Sequence, residues 1–211
     1  MFINIEALQK ASLKNEPFPY CVIPAFIKPE YLKPLTENFP DIKHRGSIPA
    51  SALSQDSLFH SFVEELQGSD LQEVIAKKFA IDLIGKPTML TLRGATSERD
   101  GKIHTDSKSK LITVLLYMNS TWETDAGKLR LLKNPHSLED YVEEISPLAG
   151  TCLIFKVTPN CWHGHTPFVG KRLSLQLNYL ASPAALNKHL NHHRFTAWLK
   201  RLFPRVFEEN Y

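Results

Sequence analysis

The chain has 211 residues, 43% hydrophobic and 22% charged, the profile of one soluble globular domain with enough interior for a substantial core. Lys and Arg number 25 against 22 Asp and Glu, a net charge of +3, which argues against nucleic acid or an anionic membrane as partner. Cys21, Cys152 and Cys161 are odd in number, widely spaced and without a CxxC, which argues against a disulfide framework or a zinc knuckle. No stretch approaches the ~20 apolar residues of a membrane helix. The first residues carry no apolar run of signal-peptide length, so the expected location is cytoplasmic.

"NIEALQKASLKNE" has helical spacing at Ile5, Leu8 and Leu13. "FPYCVIPAFI" is apolar and bounded by prolines, and reads as a strand. "KPEYLKPLTENFP" reads as a short helix ended by Pro40. Asp41 to Gln55 is polar, with Gly46 and Pro49, and reads as a loop. Residues 56–81 place apolar side chains three and four apart, predicting two helices split near Gly68-Ser69. After Pro87 come short strand-like runs: "TMLTLRG", "KLITVLLYMN", "KLRLL", "GTCLIFKV" and "KRLSLQLNYL". Turn signals such as "SERDG", "DAG", "PLAG" and "VTPN" separate them. No crossover helix intervenes, which points to an antiparallel sandwich, jelly roll or barrel. Residues 183–203 read as a closing helix, with Ser182 as its cap and Pro183 in its first turn. The expected class is α+β: a β core over 87–181, helical and strand support over 1–86, and a C-terminal helix within 182–211.

The chemistry lies in "KIHTDSKSK" and "WHGHTPFVGKRLSLQLNY". In an extended chain His104 and Asp106 point to one face, ~6.6 Å apart at their α-carbons. An imidazole and a carboxylate so placed can share an ion at ~2.1 Å. Alone, His-x-Asp is weak and reads as a solvated loop. His163 downstream would complete two histidines and one carboxylate, the facial triad of non-haem Fe(II) oxygenases. Nine residues later Arg172 offers a planar fork suited to a carboxylate. From Arg172, Ser174, Gln176 and Asn178 alternate with Leu173, Leu175, Leu177 and Tyr179. That pattern fits a strand half in water, or a polar face lining a barrel with leucines packed outward on helices. In "KLITVLLYMN" the face of Ile112, Val114, Leu116 and Met118 is wholly apolar and opposes Thr113, Leu115 and Tyr117. The run is buried on both sides, so the Tyr117 hydroxyl needs a partner.

His104-x-Asp106, "LLYMN", "AGKLRLL", "WHGHTPF" and Arg172 resemble, in order and spacing, the 2-oxoglutarate- and Fe(II)-dependent dioxygenases, above all the prolyl 4-hydroxylase-like group. The resemblance covers roughly 87–181 and, more loosely, "EPFPYCVIPAFI". It implies a double-stranded β-helix, a jelly-roll, cupin-like barrel. It implies that His104, Asp106 and His163 bind Fe(II). Arg172 and Tyr117 would hold the distal carboxylate of 2-oxoglutarate, and Leu129 would line that pocket. The implied reaction consumes O2 and 2-oxoglutarate, releases succinate and CO2, and hydroxylates a peptidyl (prolyl-like) or small-molecule substrate, with ascorbate as an accessory reductant. One departure is Ala126-Gly127, where the family has Gly-Gly; it matters only if residue 126 needs a positive φ. The family spacing selects His163, not His165, as the ligand.

Two other readings compete: a zinc-dependent, non-redox enzyme on the same triad, and a cupin-like barrel that binds without turnover. Neither gives Arg172 and Tyr117 a joint task. His189, His192 and His193 could bind zinc by helical spacing, but a solvated basic face explains them better. Trp162 reads as packing at the strand edge. Lys133–Pro147 and Ser97–Lys102 are expected to be loops framing the mouth.

Overall fold

A computed structural model of the chain describes residues 1–42, 46–50 and 57–188. Among the described residues, the helices α1 (Ile5–Lys10), α2 (Pro29–Glu37), α3 (Leu58–Leu66) and α4 (Ser69–Phe79) precede residue 87. Nine strands follow the order β1 (Tyr20–Ile23), β2 (Ser47–Pro49), β3 (Thr88–Thr96), β4 (Lys110–Tyr117), β5 (Leu129–Leu132), β6 (Tyr141–Ile145), β7 (Cys152–Lys156), β8 (His163–His165) and β9 (Gly170–Leu180).

The predicted helix split is present. Ser57 caps α3 by accepting the His60 N–H at 3.0 Å, and Gly68 in extended conformation separates α3 from α4. Asn4 caps α1 in the same way, accepting from Ala7 at 3.0 Å. Residues 183–188 are helical, and the Ser182 hydroxyl accepts from Ala185 N–H at 3.3 Å, as its cap reading requires. His189, His192 and His193 lie outside the described residues.

The strands form a six-stranded sheet, β1-β7-β4-β9-β3-β2, and a three-stranded sheet, β6-β5-β8. Every paired strand is antiparallel. The bridge between His104 and His163 extends the smaller sheet by one short edge. These two facing sheets match the double-stranded β-helix that the family resemblance implies, and the antiparallel sandwich, jelly roll or barrel to which the strand-rich middle points.

The large sheet is buried on both faces, which is why its strands read as near-continuous apolar runs. Ile112, Val114, Leu116 and Met118 of β4 and its end join Leu173, Leu175, Leu177 and Tyr179 of β9 in one cluster. Phe59, Phe62, Leu71 and Ile75 of the helices complete it. The other face packs Tyr117, Leu153 and Phe155 against Leu129, Leu131 and Ile145 of the smaller sheet. Burial of these side chains drives both layers together.

Two segments expected as loops contain strands. Ser47–Pro49 pairs with β3, and Tyr141–Ile145 pairs with β5. β6 is an edge strand carrying Glu143 and Glu144. Here Glu144 accepts from Arg130 at 2.7 Å and Glu143 accepts from the Tyr20 hydroxyl at 3.1 Å. β1 and β2 also show that the segment before residue 87 contributes two strands to the large sheet itself.

Candidate active site

β8 is three residues long, and an extended backbone sends His163 and His165 to the same face. Their register partners on β5 are Leu131 and Leu129, both on the interior face. His163 is paired on its other side with His104: each backbone N–H donates to the other's carbonyl at 3.0 Å, and the rings lie 4.3 Å apart. Asp106 follows two residues later. One ligand-type atom from each of His104, Asp106 and His163 lies within 4.8 Å of the other two. His165 is not in that group.

The donor chemistry of the three residues fits a divalent first-row ion. His104 Nδ1 and His163 Nδ1 each lie 2.8 Å from a backbone carbonyl, of Lys102 and Cys161. A carbonyl only accepts, so both Nδ1 atoms carry the proton and both Nε2 atoms keep a lone pair. Burial, with the charge of His104, lowers the His163 pKa to about 4, so its ring is neutral at pH 7 as ligation requires. Burial alone would raise the Asp106 carboxyl. The charges of Lys110 and His163 and hydrogen bonds from Lys110 and Thr113 outweigh it and hold the group below the usual carboxylate range. Lys110 Nζ is 2.7 Å from Asp106 Oδ1, and the Thr113 hydroxyl donates to Oδ2. Asp106 and His163 are buried and His104 is exposed, so the site reaches solvent past His104.

Deeper along the same interior wall lies a second polar group. Tyr117 ends β4 in register with Ser174, and Arg172 sits two residues away on the same face of β9. Arg172 is 4% exposed. Its Nε donates to the Gly127 carbonyl at 2.9 Å and its Nη2 to the Tyr117 hydroxyl at 3.2 Å. The partner that the buried Tyr117 needs is therefore Arg172. Burial raises the Tyr117 pKa against the opposing charge of Arg172, so the phenol keeps its proton and can donate it. Leu129 is buried beside Tyr117 in the interior cluster.

Gly127 has φ +74°, and its carbonyl fixes Arg172. Among the described residues the one non-glycine with positive φ is Ala80, so Ala126 suffers no strain at the position where the resembled family has glycine. Three contributors escaped the sequence reading. Lys110 and Thr113 hold Asp106. Buried Asn119 accepts from Leu173 N–H at 2.8 Å and donates to the Pro147 carbonyl at 2.7 Å, tying the end of β4 to β9 beside Arg172. The available signal was an Asn and a Thr inside an apolar run, since such groups are buried only with partners.

A cavity of about 620 Å³ lies on the opposite side of β9, between Phe39, Ile42, Gly94, Lys171 and Leu173, and touches none of the triad. No described helix is long and apolar enough to cross a membrane.

Residues 94–180 match the model of the 2OG-Fe(II) oxygenase superfamily. No curated protein is matched. A Pseudomonas putida prolyl-4-hydroxylase superposes with TM-score 0.56 at 17% identity, over 84% of this chain and 97% of its own. A Trichoplax adhaerens prolyl hydroxylase, solved with a hypoxia inducible factor oxygen degradation domain peptide, gives 0.53 at 18%, over 84% of this chain and 87% of its own. HygX from Streptomyces hygroscopicus, solved with nickel and 2-oxoglutarate, gives 0.53 at 14%, over 78% and 82%. At such identities these structures speak for the fold alone. Over residues 94–180 the chain is similar to the 2OG-Fe(II) oxygenase superfamily.

Proposed function

We propose that the protein is a 2-oxoglutarate- and Fe(II)-dependent dioxygenase that hydroxylates a peptidyl (prolyl-like) or small-molecule substrate and releases succinate and CO2. The observation that carries this reading is the coexistence, on one barrel interior, of the His104–Asp106–His163 cluster and the buried Arg172–Tyr117 pair. A zinc hydrolase or a passive barrel would have a use for the first and none for the second.

In this reading His104, Asp106 and His163 hold the metal. Both histidines present Nε2 because backbone carbonyls fix Nδ1–H. Lys110 and Thr113 keep Asp106 ionised and oriented. Arg172, held by Gly127 and Tyr117, offers its remaining N–H groups to the distal carboxylate of 2-oxoglutarate, and the Tyr117 hydroxyl donates to the same carboxylate. Leu129 packs against the co-substrate's methylene chain. When bound, iron with 2-oxoglutarate and O2 supplies the oxidising power that side chains lack. Ascorbate serves as accessory reductant, and a cytoplasmic setting would provide it with the other reactants.

The test is succinate release from 2-oxoglutarate by purified protein with Fe(II) and ascorbate. Succinate formation that needs both Fe(II) and intact His104 is the expected result. Its absence, with metal bound, would return the site to zinc-type or passive binding.

A further inference from the structure

The interior wall carries a second guanidinium that the reading above does not use. Arg93 lies on β3 in register with Ser174 of β9. Paired residues share a face, and Ser174 shares its face with Arg172 two positions away. Arg93 therefore faces the barrel interior, on the opposite flank of β9 from Tyr117. Its side chain is 35% exposed, and its Nη1 lies 3.5 Å from Asp100 Oδ1. It makes no other hydrogen bond or ion pair among the described residues. Asp100 is itself fixed by its own turn: its Oδ2 accepts from Ser97 N–H at 2.9 Å and from the Ser97 hydroxyl at 3.0 Å.

A guanidinium about two-thirds covered, with one long protein contact, keeps most of its donors open to a ligand that can displace water. Burial, opposed by Asp100 and reinforced by the like charge of Arg172, lowers the Arg93 pKa, so the two guanidinium groups feel each other. An anion beside each would engage the open donors and relieve the repulsion. The reading above assigns Arg172 a carboxylate of the co-substrate. Arg93 then awaits an anion of its own. Asp100 offsets part of its charge, which suits a singly charged carboxylate better than a doubly charged phosphate.

We propose that Arg93 binds a carboxylate of the substrate that is hydroxylated, and so selects substrates bearing one. This rests on the assignment of Arg172 to 2-oxoglutarate. Either a peptide-like acid or a simple organic acid has the required group.

The test uses saturation-transfer NMR on the full chain, loaded with Zn(II) as a redox-inert metal and saturated with 2-oxoglutarate. The probes are N-acetylglycine against N-acetylglycinamide, and lactate against lactamide. At least one acid should receive transfer while its amide does not, and the acid that saturates first names the peptide-like or simple source. Loss of a charge-assisted pair in Arg93→Gln should weaken that acid by roughly tenfold or more. Arg93→Lys, which keeps the charge but loses the fork, should fall between and guards against a folding failure of the first variant. Equal transfer to acid and amide, no transfer to either acid, or full binding by both variants would overturn the proposal. So would a loss of 2-oxoglutarate transfer in Arg93→Gln matching that in Arg172→Gln, which would place Arg93 on the co-substrate. If the unsubstituted protein binds an acid through Arg93 but not 2-oxoglutarate, the co-substrate reading fails, and the substrate role of Arg93 with it, while the anion site stands.

Discussion

Lys110 Nζ lies 2.7 Å from Asp106 Oδ1, an ion pair whose side chains are only 11% and 7% exposed. A buried carboxylate that loses its cation is left uncompensated, at a cost of about 3 kcal/mol. Without metal, Lys110→Met should therefore lower Tm by roughly 6–12 °C for a chain of this size. A bound divalent ion supplies positive charge to the same carboxylate, so Mn(II) or Zn(II) should recover much of the deficit. Paired thermal melts with chelator and with metal check this. An equal deficit in both would mean that Lys110 and the metal do not share Asp106.

The two histidines of β8 face the same interior but should differ sharply on substitution. His163 belongs to the cluster within 4.8 Å and His165 does not. His163→Ala should weaken metal binding by more than the roughly 10–100-fold typical of losing a residue that merely supports a ligand. His165→Ala should leave it within a few-fold. Competitive titration with Co(II), followed by its visible absorption, separates the two. Comparable losses from both would move the metal toward Leu129.

The site was legible where chemistry is local. His104 and Asp106 are two residues apart, and their shared face follows from strand geometry alone. The two-sided burial of β4 and the alternation of β9 placed Tyr117 and Arg172 on an interior wall, because apolar patterning reports burial directly. What stayed hidden depends on partners distant in sequence. Glu143 and Glu144 fall in a segment read as a loop framing the mouth, because Tyr20 and Arg130, which donate to them, lie 123 and 14 residues away. Arg93 lies in the strand-like run "TMLTLRG", where only its register with Ser174 shows which way it faces. Lys110 reads as a strand terminus, and its reach back to Asp106 comes from the turn at 107–109.

The Arg172–Tyr117 pair makes a graded prediction. Tyr117→Phe removes one hydroxyl donor to a carboxylate and leaves Arg172 held by Gly127. One hydrogen bond to a charged group is worth about 1.5–3 kcal/mol, so KM for 2-oxoglutarate should rise roughly ten- to a hundredfold. Arg172→Lys loses the planar fork and should raise it further. Arg172→Ala should be the most severe. Initial rates of succinate release against 2-oxoglutarate concentration give the order directly. An unchanged KM in Arg172→Ala would remove the co-substrate from this end of the barrel.

Gly101 is held where no other residue fits. Its φ is +86°, and a Cβ built on it would lie 2.4 Å from His165 Nδ1. Its carbonyl also accepts the His165 N–H at 2.9 Å, so the loop cannot back away without breaking the contact that seats β8. Gly101→Ala must therefore combine a left-handed backbone penalty with a clash, together about 2 kcal/mol or more. Because β8 also carries His163, the damage should reach the metal: affinity should fall although no ligand has changed. Ala126→Gly, at a position without positive φ, should alter neither property beyond about 1 kcal/mol. Thermal melts and metal titrations of the two variants side by side provide the check, and a Gly101→Ala protein with normal stability and normal metal affinity would show that the loop over His165 is not packed as described.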